Sequence, residues 1–115
     1  MISYDDFKKI EIRAGKILSA EKIPDTDKLL KLAVDLGEKN EAGEPAPRQI
    51  VSGISAHFPD PAVLVGRTCM FVANLEPRII RGFESNGMIF AVSDDAGHFS
   101  LLEPAGDMLP GALAG

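Results

Sequence analysis

Leu30, Leu32, Val34 and Leu36 alternate with Lys31, Ala33 and Asp35. A repeat of two residues places successive side chains on opposite faces of an extended chain, which is the pattern of a β-strand with one covered face. Eight prolines and eleven glycines punctuate the rest and favour many short elements over long helices. An all-β domain is therefore expected. A length of 115 residues suits one core, since domains commonly hold roughly 100–150 residues, so residues 1–115 should form a single domain.

Ser3 is placed to cap one helical turn over Tyr4 to Lys9, with Asp5 and Asp6 at the positive end of its dipole and Phe7 pinning it down. Ile10, Ile12 and Ala14 then alternate until the pattern breaks at Gly15-Lys16, where a bulge or bend is expected in a long first strand. Such a strand lets a small sheet curl and close. Turn chemistry in Pro24-Asp25-Thr26-Asp27 precedes the strand from Leu30. Gly37 to Pro47 reads as a polar loop and Ile50-Val51-Ser52 as a third strand. Asp60 and Pro61 supply the N-cap and first position of a short helix that Gly66 ends. Thr68 to Leu75 is apolar on both faces, which predicts a fourth strand covered from both sides. Met88 to Val92 supplies a fifth, Phe99 to Leu102 an extra one, and Pro104 to Gly115 an apolar tail without basic residues. Five strands with a helix between the third and fourth follow the order of an oligonucleotide-binding barrel, although SH3-like barrels and other small sheets share the periodicity.

The net charge of −5 argues against coating nucleic acid by bulk electrostatics. Its distribution is uneven. Residues 45–90 carry four arginines against three acids, whereas 91–115 carry four acids and no base. Every basic residue from Pro45 onwards is arginine (Arg48, Arg67, Arg78, Arg81), whose planar fork holds phosphate oxygens as lysine's point charge does not. Cys69 is the sole cysteine, so no internal disulfide forms; with only His57 and His98 beside it in composition, it reads as a buried structural thiol and not a zinc ligand. No cofactor motif is present. Ser52 lies in Val-Ser-Gly-Ile-Ser, which lacks a nucleophile elbow, and no phosphate-binding glycine loop precedes a helix. A non-enzyme is expected. Asp5 and Asp6 interrupt any signal-peptide pattern, which makes the cytoplasm the expected compartment and a membrane partner unexpected.

The run from Asn74 to Met88 leaves an apolar strand, places Arg78 and Arg81 in a loop, and enters another apolar strand. Pro77 ends the preceding strand, Gly82 and Gly87 allow backbone conformations closed to other residues, and the two arginines share a side if the stretch turns helically. Together with Asp6-Phe7 through Ile12-Arg13-Ala14-Gly15-Lys16-Ile17, Asp27-Lys28-Leu29-Leu30-Lys31-Leu32 and Arg48-Gln49-Ile50-Val51-Ser52-Gly53-Ile54, this run resembles the bacterial tRNA-binding domain family. That family includes the C-terminal appendage of methionyl-tRNA synthetase, free-standing tRNA-binding proteins and a dimeric secretion chaperone. The resemblance spans nearly the whole chain.

The resemblance implies an oligonucleotide-binding barrel, usually a homodimer, that grips the outer corner of tRNA without reading its anticodon and assists an aminoacyl-tRNA synthetase without catalysing anything. RNA contacts carried over from the family fall on Lys28, Ser52, Asn74, Arg78, Arg81, Ser85 and Met88. The chaperone branch implies the alternative, a dimer that binds unfolded polypeptide. Three departures weaken the positive field: Glu76 between Asn-Leu and Pro-Arg, the acidic stretch from Gly37 to Pro47, and the absence of basic residues after Met88. The doubly apolar fourth strand and the tail around Leu109, Ala112 and Leu113 exceed what one small barrel covers, so residues 104–115 are expected at a dimer interface.

Overall fold

The protein is described over residues 1–115 by a computed structural model. After a short helix α1 (Tyr4–Lys8), the strands are β1 (Ile12–Lys22), β2 (Leu30–Asp35), β3 (Arg48–Ser52), β4 (Thr68–Val72), β5 (Arg78–Ile80), β6 (Phe83–Ser85), β7 (Met88–Ile89), β8 (Ala91–Ser93) and β9 (Phe99–Leu101). Five of them form an antiparallel sheet in the order β3-β2-β1-β4-β7. The sheet is a nearly closed barrel. Its seam between β3 and the β6–β7 segment is bridged by the Asn86 N–H donating to the Gln49 carbonyl at 2.9 Å and the Val51 N–H donating to Ser85 Oγ at 2.9 Å.

The predicted alternation in β2 is borne out: Leu30, Leu32 and Val34 are fully buried and share one core cluster with Ile17, Ile50 and Phe71. β1 serves two partners, pairing with β4 from Ile12 to Lys16 and with β2 from Lys16 to Lys22. Its bulge lies between Ile17 and Ser19, not at Gly15. Gly15 answers a different need. A Cβ there would stand 2.7 Å from Val34 Cγ1 and 2.9 Å from Phe71 Cδ2, so the residue is glycine because side chains from the two neighbouring strands leave no room.

Between β3 and β4 the helix is of the 3₁₀ kind and comes in two turns, Ser55–His57 and Pro61–Leu64, the second capped by Asp60 through the Ala62 N–H. Leu64 is fully buried and closes one end of the core. The predicted fifth strand breaks at Phe90, whose N–H donates to the Met70 carbonyl before the chain leaves to pair β8 with β9. Cys69 is buried, and desolvation pushes its thiol up to about 11, so it stays protonated and inert.

α1 is capped as expected, with the Asp6 N–H donating to Ser3 Oγ, yet none of its residues is buried. Phe7 does not pin it. The tail folds along its own β1: the Gly111 N–H donates to Ala14 O, the Ala14 N–H to Ala112 O and the Ala114 N–H to Ile12 O, at 2.7–2.9 Å. That pairing satisfies the backbone and leaves the side chains of Leu109 and Leu113 outside, 83% and 61% exposed. No helix is long and apolar enough to cross a membrane.

Candidate nucleic-acid interface

Past β4 the chain forms the β5–β6 hairpin, with Arg78 opposite Ser85, Ile79 opposite Glu84 and Ile80 opposite Phe83. Its two-residue turn is Arg81-Gly82, with φ of +52° and +84°. Positive φ at both central residues makes the turn type I′, which suits the right-handed twist of paired strands. Arg78 and Arg81 therefore do not share a helical side, as their spacing suggested. One sits at the base of a ribbon and the other at its tip.

Arg81 adopts a left-handed conformation that non-glycine residues seldom take, at a position where asparagine or glycine would be relaxed. The result is a guanidinium carried at the outermost point of the hairpin. Neither Arg78 nor Arg81 forms an ion pair or an internal hydrogen bond, and both are exposed. The other three arginines are all committed. Arg13 pairs with Glu11 at 2.7 Å, Arg67 with Glu103, and Arg48 with Glu38 at 2.6 Å.

Arg48 shows what commitment means structurally. Its Nε and Nη2 fork the Glu38 carboxylate, while Nη1 donates to the carbonyls of Ala73 and Asn86, on either side of the β5–β6 hairpin. The hydrogen bond from Arg48 holds the Glu38 carboxyl below its ordinary range, and the same bond raises Arg48. A depressed carboxyl pKa contributes stability at neutral pH that is lost as pH falls through the folded-state value. The acidic loop thus serves here as an internal partner.

Lys28 and Arg81 share one cleft. Both line an open cleft of about 480 Å³ together with Asp25, Asp27 and Ile80, and Lys28 forms no ion pair with either aspartate. Ser52 ends β3 opposite Leu30, half-buried, with no internal partner for its hydroxyl. Met88, opposite Val72 on β7, is 44% exposed and so is not a core methionine.

Asn74 and Ser85 are held differently. Asn74 Oδ1 accepts from the Glu11 N–H at 2.8 Å and its Nδ2 donates to the Lys9 carbonyl at 2.6 Å, which ties α1 to the barrel in the role predicted for Phe7. Ser85 is buried; its Oγ accepts from Val51 and donates to the Gly87 carbonyl. Both side chains fix the ends of the hairpin. Sequence reasoning missed Lys31, whose Nζ lies 5.1 Å from the Phe83 ring centroid and 3.6 Å from Glu21. Its outward place in the β2 alternation was the available signal.

The tRNA binding domain family model matches residues 12–113. The chain is 52% identical over 111 residues to the methionine–tRNA ligase of Methanoregula boonei, covering 96% of this chain and 15% of the ligase. It thus spans about 15% of the length of such curated relatives. Among solved structures, a MetRS-related protein from Pyrococcus horikoshii superposes with a TM-score of 0.86 at 34% identity, covering 99% of this chain and 97% of the other. The chaperone CsaA from Bacillus anthracis superposes with a TM-score of 0.80 at 25% identity, covering 100% and 99%. With a family match over almost all of the barrel and a hairpin that carries two unpaired arginines, the chain belongs to the tRNA binding domain family.

Proposed function

We propose that this domain binds tRNA at its outer corner, by shape and phosphate contact, and acts as a non-catalytic aid to an aminoacyl-tRNA synthetase in the cytoplasm. The observation that carries the reading is the sorting of arginines: three are committed to glutamates, and the two on the β5–β6 hairpin are free. Arg78, Arg81 and Lys28 take phosphates, Ser52 meets a ribose hydroxyl, and Met88 offers an adaptable apolar surface. Asn74 and Ser85 contribute by holding the two ends of the hairpin in place. Because three cations do the gripping, log affinity plotted against log salt should fall with a slope between about −2 and −3, at roughly −0.7 to −0.9 per neutralised phosphate. A flat line in filter binding would remove phosphate gripping.

The domain works as a homodimer in this reading, paired through the apolar side chains that the tail leaves outside, Leu109 and Leu113. Pairing brings two cationic hairpins to the RNA and raises apparent affinity through effective concentration. Leu109→Glu with Leu113→Glu should give monomers of 12.3 kDa in light scattering, since neither side chain supports its own barrel. Persisting dimers would place the interface elsewhere. The likeness to CsaA supports a second reading, a dimer that binds unfolded polypeptide, which predicts peptide affinity indifferent to Arg78 and Arg81.

A further inference from the structure

Away from the hairpin, His57 and Phe99 stack face to face with ring centroids 3.7 Å apart and planes 4° from parallel. Phe58 meets Phe99 edge-on at 6.1 Å, and the Arg67 guanidinium stands 5.9 Å from the Phe58 ring. Phe99 packs against the core and fixes the stack from below, while His57 is exposed. One face of the imidazole is covered by Phe99, so its exposure falls on the opposite face and the ring edges. These side chains line an open cleft of about 350 Å³ with Ser100 on its rim.

The turn that carries the stack is joined to the backbone at Lys28. The 3₁₀ turn that ends in His57 begins at Ser55, whose N–H donates to the Lys28 carbonyl at 2.9 Å. A rise of about 2 Å per residue puts His57 roughly 4 Å further along that turn. Nucleotides adjoining a phosphate held at Lys28 would come to the side of the barrel on which this turn begins.

We propose that the His57–Phe99 stack is a base platform: one unstacked base of the bound RNA lies flat on the outer face of His57, with Arg67 and Ser100 at its edge. This rests on the tRNA reading above. A pre-ordered pair of parallel rings presents its π-face without a further loss of side-chain freedom, and such stacking tolerates any base. Arg67, already neutralised by Glu103, contributes its plane and edge more than net charge.

The test compares the full chain with His57→Ala and His57→Trp, using tRNA as the probe. The chain contains no tryptophan, so His57→Trp supplies a single indole at the platform. His57→Ala should weaken tRNA binding about fivefold or more with the salt slope unchanged, because a stacking contact releases no counterions. His57→Trp should bind at least as tightly as the parent, with indole emission quenched by tRNA. An exposed position makes both variants fold like the parent, which a thermal melt checks. His57→Ala with parental affinity, or indole emission unmoved by saturating tRNA, overturns the platform while leaving the hairpin reading intact. If the parent itself fails to bind tRNA, both fall.

Discussion

Replacing Arg78 and Arg81 together by alanine is expected to weaken tRNA binding by at least about tenfold, close to 1.4 kcal/mol, with no change in melting temperature. Each guanidinium loses a charge-assisted fork to phosphate together with the counterions that the contact released. The fold loses nothing, because neither side chain has an internal partner. Arginine-to-lysine changes at both positions should fall between, since they keep the charge and lose the fork. Affinity unchanged in a gel-shift assay would remove the hairpin from the interface. The same variants leave the CsaA-like alternative untouched, so peptide binding that survives while tRNA binding is lost would assign two surfaces to one domain.

Gly87→Ala should cost about 2–4 kcal/mol of stability, the largest single effect of a one-methyl change anywhere between Asn74 and Met88. Gly87 has φ of +137°, a region closed to residues with a side chain, and its carbonyl accepts from Ser85 Oγ. An added Cβ would also stand 2.9 Å from the Val72 carbonyl oxygen and 3.2 Å from Ile50 Cδ1. A backbone oxygen cannot step aside as a flexible side chain can. The strain falls where the hairpin returns to the barrel between Ser85 and Met88, so any protein that still folds should hold Arg78 and Arg81 less rigidly and bind tRNA more weakly. Urea denaturation measures the first effect. A midpoint equal to that of the parent would mean that the turn has another conformation.

The fold could be read from the sequence wherever one residue's environment depended on a strictly local pattern. The β2 alternation, the Ser3 cap, the Asp60-Pro61 start and the Gly66 stop are of that kind, and all appear in the structure. Gly15 shows the limit. Locally it reads as a kink, but the reason for it is Val34, Leu36 and Phe71, brought against it by the two strands that pair with β1, contacts that only the assembled sheet creates. The tail is similar: its apolar residues announced a surface to be covered, yet its backbone pairing with β1 depends on a meeting of residues 12–14 with 111–114.

The site divides in the same way. Arg78 and Arg81 were candidates for it from their motif, whereas the shape that presents them, a type I′ hairpin, did not follow from a spacing of three. Chemistry-bearing residues alone could not separate Arg78 and Arg81 from Arg48 and Arg67, because the distinction lies in partners 10 and 36 residues away, Glu38 and Glu103. Asn74 and Ser85 carry the right groups for ribose, and long-range backbone donors and acceptors engage them instead.

Hydroxyl-radical footprinting of tRNA, with and without the protein, measures which part of the RNA the cationic hairpin covers. Protection confined to the outer corner where the two arms meet, lost in the Arg78→Ala, Arg81→Ala protein and absent from the anticodon, is the expected result. Protection of the anticodon loop, or a footprint that the double variant reproduces in full, would contradict recognition of the tRNA corner by two uncommitted arginines.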